Sequence, residues 1–467
     1  MTYSELDSRA NQLASHLRSL GVKPEAVVAI CLERSVDFVI SALAIWKAGG
    51  AYLPLDPSWP VARRNHIVQN ASAPILITRA SFGGRAGILV DVERDAMVIA
   101  TAQTVIDLRA SKREHLAYVS YTAGAGTGPK GIEITHGNLL NLVFWHRNAF
   151  AIAAGDRCSH LVSPAFDAAV WELWPQLSAG ATVVLAGDDT GASPQQLQDW
   201  LVRERINVAF VPTPLVEPLI AAPWPETTAL RYLLTRSDVL PRDPTPGLPF
   251  QLVNHYGPTE CTVVAASGGS GIPHTPIYLL NERREPVLPG ETGEIFIGGP
   301  GVGKGYRNQR DLTEKRFLPD PFSPVFGARM YRSGDVGSFS PSGELQIHGR
   351  LDRQETLRGH RVEPEEVAAV LNRHPDVRQS VVAGYGAAVD RKLAAYYIPR
   401  SQRTRPTELR EFLREHLPEY MMPTAFLAME SLPADALGRL DPAALPDPTQ
   451  DPAQLEALGL GSQGLGS

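Results

Sequence analysis

A glycine-rich segment, YTAGAGTGPKG at residues 121–131, has the composition of a loop that binds phosphate. It follows an apolar run typical of a buried strand, and its glycines leave backbone N–H groups accessible beside Lys130. The segment does not match the P-loop pattern, because Gly131 rather than Ser or Thr follows Lys130. It contains Gly126-x-Gly128-x-x-Gly131, but no acidic partner at the spacing of a dinucleotide site. A phosphate loop and a plain surface turn both remain open on this segment alone.

A second cluster, NHYGPTE at residues 254–260, gathers an aromatic ring, a Gly-Pro turn, a hydroxyl and a carboxylate. Tyr256 has the ring to stack on a base, Thr259 the hydroxyl to bind phosphate, and Glu260 the carboxylate to hold Mg²⁺. The alternative is an ordinary turn capped by Thr259 and Glu260.

A third pair of segments, YRSGDVG at residues 331–337 and GRLDRQ at residues 349–354, carries opposite charges. The carboxylate of Asp335 suits a ribose diol, because it accepts two hydroxyl hydrogen bonds. Arg350 suits an anion or a ribose. Each segment taken separately is also typical of a solvated turn.

The elements that must position these segments alternate between strand and helix patterns. AVVAICLE at residues 26–33 predicts a buried strand, and SVDFVISALAIWKAGG at residues 35–50 predicts a helix that ends at glycine. Strands alternating with helices indicate parallel α/β layers. After about residue 285, Gly-punctuated runs such as GEIFIGG predict a more antiparallel piece. A smaller α+β pattern then follows, so we predict domains at 1–351 and 352–450 and a flexible linker at 451–467.

The overall composition excludes several classes of protein. The chain has 467 residues, which is more than a single hydrophobic core usually contains, so we expect more than one domain. Its net charge of −6 argues against a nucleic-acid partner bound by a basic surface. The three cysteines are far apart, so we expect no disulfide framework and a cytoplasmic protein. The N-terminal stretch is polar and amphipathic, unlike a signal peptide, and no apolar run reaches the ~18 residues of a membrane span.

Taken together and in order, the motifs resemble the adenylate-forming superfamily, and most closely the adenylation domains of nonribosomal peptide synthetases. The resemblance covers residues 2 to about 446 and rests on these stretches: TYSELDSRANQLA, WKAGGAYLPLDPSWP, LAYVSYTAGAGTGPKG, FDAAVWELW, NHYGPTE, GEIFIGGPGVGKGY, MYRSGDVG, GRLDRQETLRGHRVEPEEV and LPEYMMP.

The resemblance implies an α/β fold with a large N-terminal part of layered subdomains, a small barrel-like piece and a smaller, mobile α+β C-terminal domain. It implies that ATP and Mg²⁺ activate an amino acid as an aminoacyl-adenylate. The phosphopantetheine thiol of a peptidyl carrier protein would then accept the acyl group. Condensation domains of the same assembly line, and a helper of the MbtH-like type, would be further partners.

The family's site residues transfer to this sequence by motif. Asp167 of FDAAVW should bind the substrate's α-ammonium, although its place before AAVWEL also fits a helix N-cap. Asp352 should be the hinge, and Glu260 should hold Mg²⁺. The residues expected at the nucleotide are Thr122, Gly124, Thr127, Gly128, Asn254, His255, Tyr256, Gly257, Thr259, Asp335 and Arg350, with Lys130 and Arg439 as the catalytic cations.

The substrate pocket can be read from the matching positions. Its expected lining is Asp167, Ala168, Trp171, Phe210, Leu234, Arg236, His255, Val263 and Val264. Most of these side chains are apolar, so a leucine-like side chain would bury well, at roughly 0.8 kcal/mol per CH₂. Arg236 and His255 do not fit that pattern. Arg236 could block the pocket or pair with a substrate carboxylate, because a buried Arg needs a partner or must turn outward.

The phosphate loop departs from the TSGSTG form that is usual in the family. Ala123 and Ala125 stand in place of hydroxyls, Gly126 stands where Thr is usual, and Thr127 is displaced by one position. Each lost charge-assisted hydrogen bond costs roughly 1.5–3 kcal/mol. The loop therefore keeps its glycines and Lys130 but loses side-chain donors.

Four further departures lie at positions that face nucleotide or substrate in the family. TRSD at residues 235–238 replaces a turn of small residues, Thr356 replaces Lys, and Ile347 stands where Tyr is frequent. Arg439 replaces the catalytic Lys, and a planar guanidinium does not reproduce a compact ammonium. Three hypotheses follow: an active enzyme with a diverged pocket, a degenerate domain retained as a scaffold, or other acyl-adenylate chemistry of the CoA-ligase kind. Asp167 argues against the third, since only an amino acid needs a partner for its ammonium.

Overall fold

The computed structural model describes residues 1–82, 86–102, 111–124, 128–191, 193–236, 247–357, 359–387, 391–401, 404–433 and 444–450. The chain divides into two compact units. The larger unit comprises Met1–Pro57, Arg64–Tyr121 and Gly131–Asp352. The smaller unit comprises Ser58–Arg63, Thr122–Lys130 and the described part of Arg353–Ser467.

The helices of the described residues are α1 (Tyr3–Ser19), α2 (Val36–Ala48), α3 (Val61–Asn70), α4 (Ala96–Ala100), α5 (His136–Ala149), α6 (Ala168–Ser178), α7 (Pro194–Arg203), α8 (Thr213–Ala221), α9 (Arg310–Arg316), α10 (Pro364–Leu371) and α11 (Pro406–Arg414).

The strands are β1 (Val27–Cys31), β2 (Ala51–Leu55), β3 (Ile75–Thr78), β4 (Ile88–Asp91), β5 (Leu116–Thr122), β6 (Lys130–Thr135), β7 (Arg157–His160), β8 (Thr182–Leu185), β9 (Val208–Phe210), β10 (Tyr232–Arg236), β11 (Gln251–Tyr256), β12 (Ala266–Ser267), β13 (Ser270–Gly271), β14 (Ile277–Leu280), β15 (Gly293–Ile297), β16 (Gly305–Tyr306), β17 (Phe317–Pro319), β18 (Arg329–Phe339), β19 (Leu345–Arg350), β20 (Glu355–Leu357), β21 (His360–Val362), β22 (Val377–Tyr385), β23 (Lys392–Pro399) and β24 (Ala425–Ala428).

Two large sheets organise the larger unit. In the described part of the chain the first has the order β16-β6-β5-β2-β1-β3-β4, and the second β13-β12-β11-β10-β9-β7-β8. The pairs β2–β1, β1–β3, β9–β10 and β10–β11 are all parallel, as strand–helix alternation predicts. The antiparallel piece predicted after about residue 285 corresponds to a third sheet, β14-β15-β18-β17 with β19 on β18, whose pairs are antiparallel.

Local sequence explains why these elements form where they do. Every residue of β1 is buried, in keeping with its continuous apolar run VVAIC. The helix α2 begins after Ser35, whose side chain accepts a hydrogen bond from the N–H of Phe38, and ends at Gly49 with φ +97°. A left-handed backbone conformation at this position favours glycine, because glycine has no Cβ that would clash. The predicted α/β class is thus confirmed.

The smaller unit is an α+β domain with its own apolar core. A three-stranded sheet, β22-β23-β24 within the described residues, packs with α10 and α11. The core includes Val367 and Leu371 of α10, and Leu409 and Leu413 of α11. The smaller C-terminal part predicted from the sequence is confirmed. The predicted linker at 451–467 lies outside the described residues.

Candidate functional site

Two neighbouring strands and one helix bring the candidate site together in the larger unit. Strands β10 and β11 run parallel with Arg236 opposite His255 in register, so both residues lie at the same carboxyl edge of the sheet. The turn that carries Thr259 and Glu260 follows directly after β11. Asp167 precedes the first residue of α6. This arrangement is typical of parallel α/β sheets, whose ligand sites lie at the carboxyl ends of strands.

The carboxylate of Asp167 is engaged by residues of the chain itself. Its side chain makes no capping bond to α6, so the N-cap alternative is not observed. Instead Arg236 donates from Nη1 to Oδ2 and from Nη2 to Oδ1, both at 2.8 Å. Thr259 donates from Oγ1 to Oδ2 at 2.6 Å. The sequence left Arg236 to block the pocket, to pair with a substrate carboxylate or to turn outward, and in the structure it pairs with Asp167 instead.

The ionic state of Asp167 follows from these contacts. Burial acts to raise its pKa, since only 6% of the residue is exposed, but the guanidinium of Arg236 and the hydrogen bonds outweigh that effect. The net pKa of Asp167 is therefore lower than usual. At neutral pH the pair is a carboxylate and a guanidinium in fork geometry, the strongest form of such a contact.

Three predicted pocket residues, Trp171, Phe210 and Leu234, line one small cavity in the same unit. The rings of Trp171 and Phe210 lie 5.3 Å apart between centroids, and the ring of His255 lies 4.7 Å from that of Trp171. Ala168, Val263 and Val264 are also buried. The cavity has a volume of about 10 Å³, which is room for about one water molecule.

The same cavity has a polar wall that sequence reasoning missed. His146, Ser159 and Gln176 line it, and each is at most 4% exposed. Among the described residues, His146 Nε2, Ser159 Oγ and Gln176 Oε1 have no hydrogen-bond partner. No motif contains these residues and they come from three different elements, so the sequence carried no local signal for them. The pocket is thus less uniformly apolar than its predicted lining.

Two histidines of this region should make stability depend on pH. Burial lowers the pKa of His146 to about 3 and that of His255 to about 4, so both are neutral in the folded protein at pH 7. Below about pH 6.5 the unfolded chain binds protons at these sites and the folded chain does not. The stability that the folded protein has while these two histidines are neutral is therefore complete above about pH 6.5, and it is lost as the pH falls toward 4.

We expect the free energy of unfolding to fall by about 1.4 kcal/mol per pH unit for each of these histidines between about pH 6.5 and 4. Urea titrations at pH 7.5 and pH 5.5 measure the change, and His255→Phe, which removes one titrating group, should show a shallower dependence. Equal denaturation midpoints of the wild type at both pH values would contradict the neutral state of the two rings.

A second cluster in the same unit joins the predicted ribose and adenine residues. The Tyr256 hydroxyl donates to Asp335 Oδ2, and Arg350 donates from Nη1 to Asp335 Oδ1. Asp335 and Arg350 face each other in register across β18 and β19. Arg350 also donates to both carboxylate oxygens of Asp352, the predicted hinge, at 2.7 and 3.0 Å. The structure therefore brings Tyr256, Asp335 and Arg350 together.

Glu260, the predicted Mg²⁺ ligand, is fully buried in the larger unit and accepts a hydrogen bond from the Tyr306 hydroxyl at 2.8 Å. Across the described ranges, no group of three or more His, Cys, Asp or Glu side chains is arranged to hold a metal ion. A single carboxylate fits Mg²⁺ when nucleotide phosphates supply the remaining oxygens. The donor set is thus compatible with a metal that arrives with ATP.

Two other residues predicted at the nucleotide, Asn254 and Gly257, shape this segment through their backbone atoms. Asn254 accepts from the N–H of Gly268 at 2.9 Å. A Cβ on Gly257 would lie 2.5 Å from the carbonyl oxygen of Val263, so only glycine fits this turn. The tight turn holds the segment that contains Tyr256 and Thr259.

The glycine-rich loop belongs to the smaller unit. The N–H of Gly124 donates to Glu366 Oε2 at 3.0 Å, and Lys130 Nζ lies 3.1 Å from Glu363 Oε1. A Cβ on Gly124 would lie 2.0 Å from the carbonyl oxygen of Gly128, so this close approach requires glycine. The buried Oγ1 of Thr122 has no hydrogen-bond partner among the described residues. The predicted residues Thr127 and Arg439 lie outside the described residues.

The helices of the described ranges include none with the length and apolar character to cross a lipid bilayer.

Comparisons with known proteins agree in pointing to one family. A model of the AMP-binding enzyme family matches residues 1–307, and a model of the AMP-binding enzyme C-terminal domain matches residues 366–439. The chain is 43% identical to a linear gramicidin synthase chain of Brevibacillus parabrevis, over 98% of this chain and 9% of that relative. It is 35% identical to bacitracin synthase 1 of Bacillus licheniformis, over 96% of this chain and 9% of that relative.

A solved structure has the same fold. It is NpsA-ThdA, an artificially fused adenylation–PCP di-domain of a nonribosomal peptide synthetase from Klebsiella oxytoca. The TM-score is 0.81 at 22% sequence identity, covering 92% of this chain and 89% of that one. The chain itself spans less than a tenth of the length of the two synthases that it resembles.

Proposed function

The chain belongs to the AMP-binding enzyme family, as an adenylation domain of the nonribosomal peptide synthetase type, and on that premise we propose that it activates a carboxylic acid with ATP. The substrate carboxylate attacks the α-phosphate, pyrophosphate leaves, and an acyl-adenylate forms. The phosphopantetheine thiol of a peptidyl carrier protein then takes the acyl group. We further propose condensation domains, and a helper of the MbtH-like type, as partners.

The observation that carries the proposal is the cluster of Tyr256, Asp335 and Arg350. Asp335 is 6% exposed and already oriented by two donors, so little rearrangement is needed to accept ribose hydroxyls. Arg350 is held on its other side by Asp352 and cannot easily turn away. A preorganised carboxylate beside an aromatic ring fits a nucleoside better than it fits a structural turn.

The anionic part of ATP needs positive charge, which we assign to two side chains and a metal ion. Lys130 and Arg439 would offset charge on the phosphates and the substrate carboxylate, and Glu260 would hold Mg²⁺. Thr122, Gly124, Thr127 and Gly128 would supply the remaining loop contacts. Lys130 is paired with Glu363 here, so phosphate binding would have to exchange that carboxylate for a phosphate oxygen.

The acyl part of the substrate would enter beside Trp171, Phe210 and Leu234. These walls favour an apolar, leucine-like side chain, and the amino acid is the substrate class that the family resemblance implies. Because the cavity among them has room for only about one water molecule, the walls must move apart to admit such a side chain.

A second candidate function is that of a degenerate domain retained as a scaffold between synthetase domains. It is favoured by the pairing of Arg236 with Asp167, which takes up the carboxylate that should meet the substrate. The loss of hydroxyls at Ala123 and Ala125 points the same way. The intact cluster around Asp335 favours the catalytic function instead.

Acid-dependent pyrophosphate exchange distinguishes these functions. We expect calorimetry to detect ATP binding, and exchange to appear with at least one acid from a panel of the common amino acids and their deaminated analogues. If neither ATP binding nor exchange were detected, the catalytic proposal would be wrong and the scaffold function would be favoured. Exchange with leucine at an ordinary rate would contradict the scaffold function.

A further inference from the structure

Donors of the chain itself take up most of the acceptor capacity of the Asp167 carboxylate. A carboxylate offers about four lone-pair sites. In this chain three donors occupy most of them: two guanidinium N–H groups of Arg236 and the hydroxyl of Thr259. The three donor–acceptor distances are 2.8, 2.8 and 2.6 Å, and Asp167 is 6% exposed. A further cation would therefore meet a carboxylate whose negative charge the guanidinium of Arg236 already compensates.

Arg236 is held in that position by its place in the fold. It is the last residue of β10, paired with β11, and its neighbour Thr235 is fully buried. The guanidinium also donates to the carbonyl oxygen of Val263, at 3.4 Å. Its side chain is 23% exposed, whereas that of Asp167 is only 6% exposed. Because the contact is bidentate, the guanidinium faces both oxygens of the carboxylate at once.

We propose that Arg236 is a built-in substitute for a substrate ammonium, so that the site takes acids without an α-ammonium and Arg236 alone excludes apolar α-amino acids. This inference rests on the proposed adenylation function and names the substrate class of that same site. An incoming ammonium would have to displace two charge-assisted hydrogen bonds and would meet a guanidinium of like charge. A deaminated acid has no cation and meets neither obstacle.

The test compares two ligands that differ only at the α position. Leucine and 4-methylpentanoate share the side chain and the carboxylate, and only leucine carries the ammonium. Calorimetry in the presence of ATP gives the ratio of their affinities for each protein. We expect the wild type to bind leucine no more tightly than 4-methylpentanoate. We expect Arg236→Gly to prefer leucine by at least about tenfold, which corresponds to one well-placed ion pair.

Two further variants keep the test decisive. Arg236→Gly leaves Asp167 as a buried unpaired charge, which destabilises the fold. The double variant Asp167→Asn, Arg236→Gly removes that charge and should show no preference for leucine. Arg231→Ala is the matched control, because it removes an Arg one position before β10 that pairs at 2.8 Å with Asp156 instead. It should keep the wild-type ratio.

The outcomes separate this inference from the function on which it rests. A leucine preference that appears only in Arg236→Gly supports the inference. The same preference in wild type and Arg236→Gly, or no leucine binding by Arg236→Gly, overturns it. Failure of ATP to bind the wild type contradicts the adenylation function instead, because that titration involves neither acid.

Discussion

Replacing Asp335 by Ala is expected to weaken ATP binding by at least about 100-fold. The ribose hydroxyls would lose the two charge-assisted hydrogen bonds that they donate to this carboxylate, each worth roughly 1.5–3 kcal/mol. The same substitution would release the Tyr256 hydroxyl and one side of Arg350, both of which Asp335 holds. Calorimetric titration of ATP into wild type and variant measures the change.

Asp320→Ala is the matched control for that titration. Asp320 is 7% exposed, close to the 6% of Asp335, and also accepts a tyrosine hydroxyl, that of Tyr278 at 3.1 Å. The control should keep the wild-type affinity for ATP within about twofold, even where it lowers stability. If Asp335→Ala bound ATP as tightly as Asp320→Ala, the cluster around Asp335 would be structural and the assignment of the ribose site would be wrong.

Replacing Glu366 by Ala is expected to destabilise the smaller unit by about 3 kcal/mol. Arg63 donates from Nη1 to Glu366 Oε1 at 2.6 Å, and the two side chains are 5% and 3% exposed. Removing one partner of a buried ion pair leaves the other charge without compensation. The N–H of Gly124 would also lose its acceptor, so the glycine-rich loop would be less well anchored.

Hydrogen exchange of the backbone amides of α10 and β23 reports on this unit directly. In Glu366→Ala these amides should exchange roughly 100-fold faster than in wild type, as a loss of about 3 kcal/mol requires. Glu365→Ala is the control, because Glu365 is the adjacent residue on α10 but is partly exposed. Equal exchange in the two variants would show that the pair of Arg63 and Glu366 contributes little.

Much of the fold could be predicted because strand signals in this chain are local. The run AVVAICLE predicts a buried strand, and the structure has β1 at Val27–Cys31 with every residue buried. The run APILIT similarly gives β3 at Ile75–Thr78. A continuous apolar run flanked by turns or helices needs no distant partner to be recognised. Sheet order could not be predicted in the same way, since it depends on contacts between remote segments.

The residues of the candidate site could be listed from the motifs, but their pairing could not. Asp167 and Arg236 are separated by 69 positions, and no local pattern indicates which carboxylate an Arg will meet. The motif placed Thr259 at a phosphate, whereas here its hydroxyl donates to Asp167. The unpaired polar atoms of His146 and Ser159 could not be predicted for the same reason, because the two residues line one cavity only once α5, α6 and β7 come together.

Leucine-dependent pyrophosphate exchange by Arg236→Gly, measured beside the wild type, tests the central claim most directly. That claim is that an adenylation site is retained while Arg236 occupies the position for an amino acid's ammonium. We predict exchange by Arg236→Gly that is at least about tenfold faster than that of the wild type. Equal rates in the two proteins, or no exchange by Arg236→Gly, would contradict the claim.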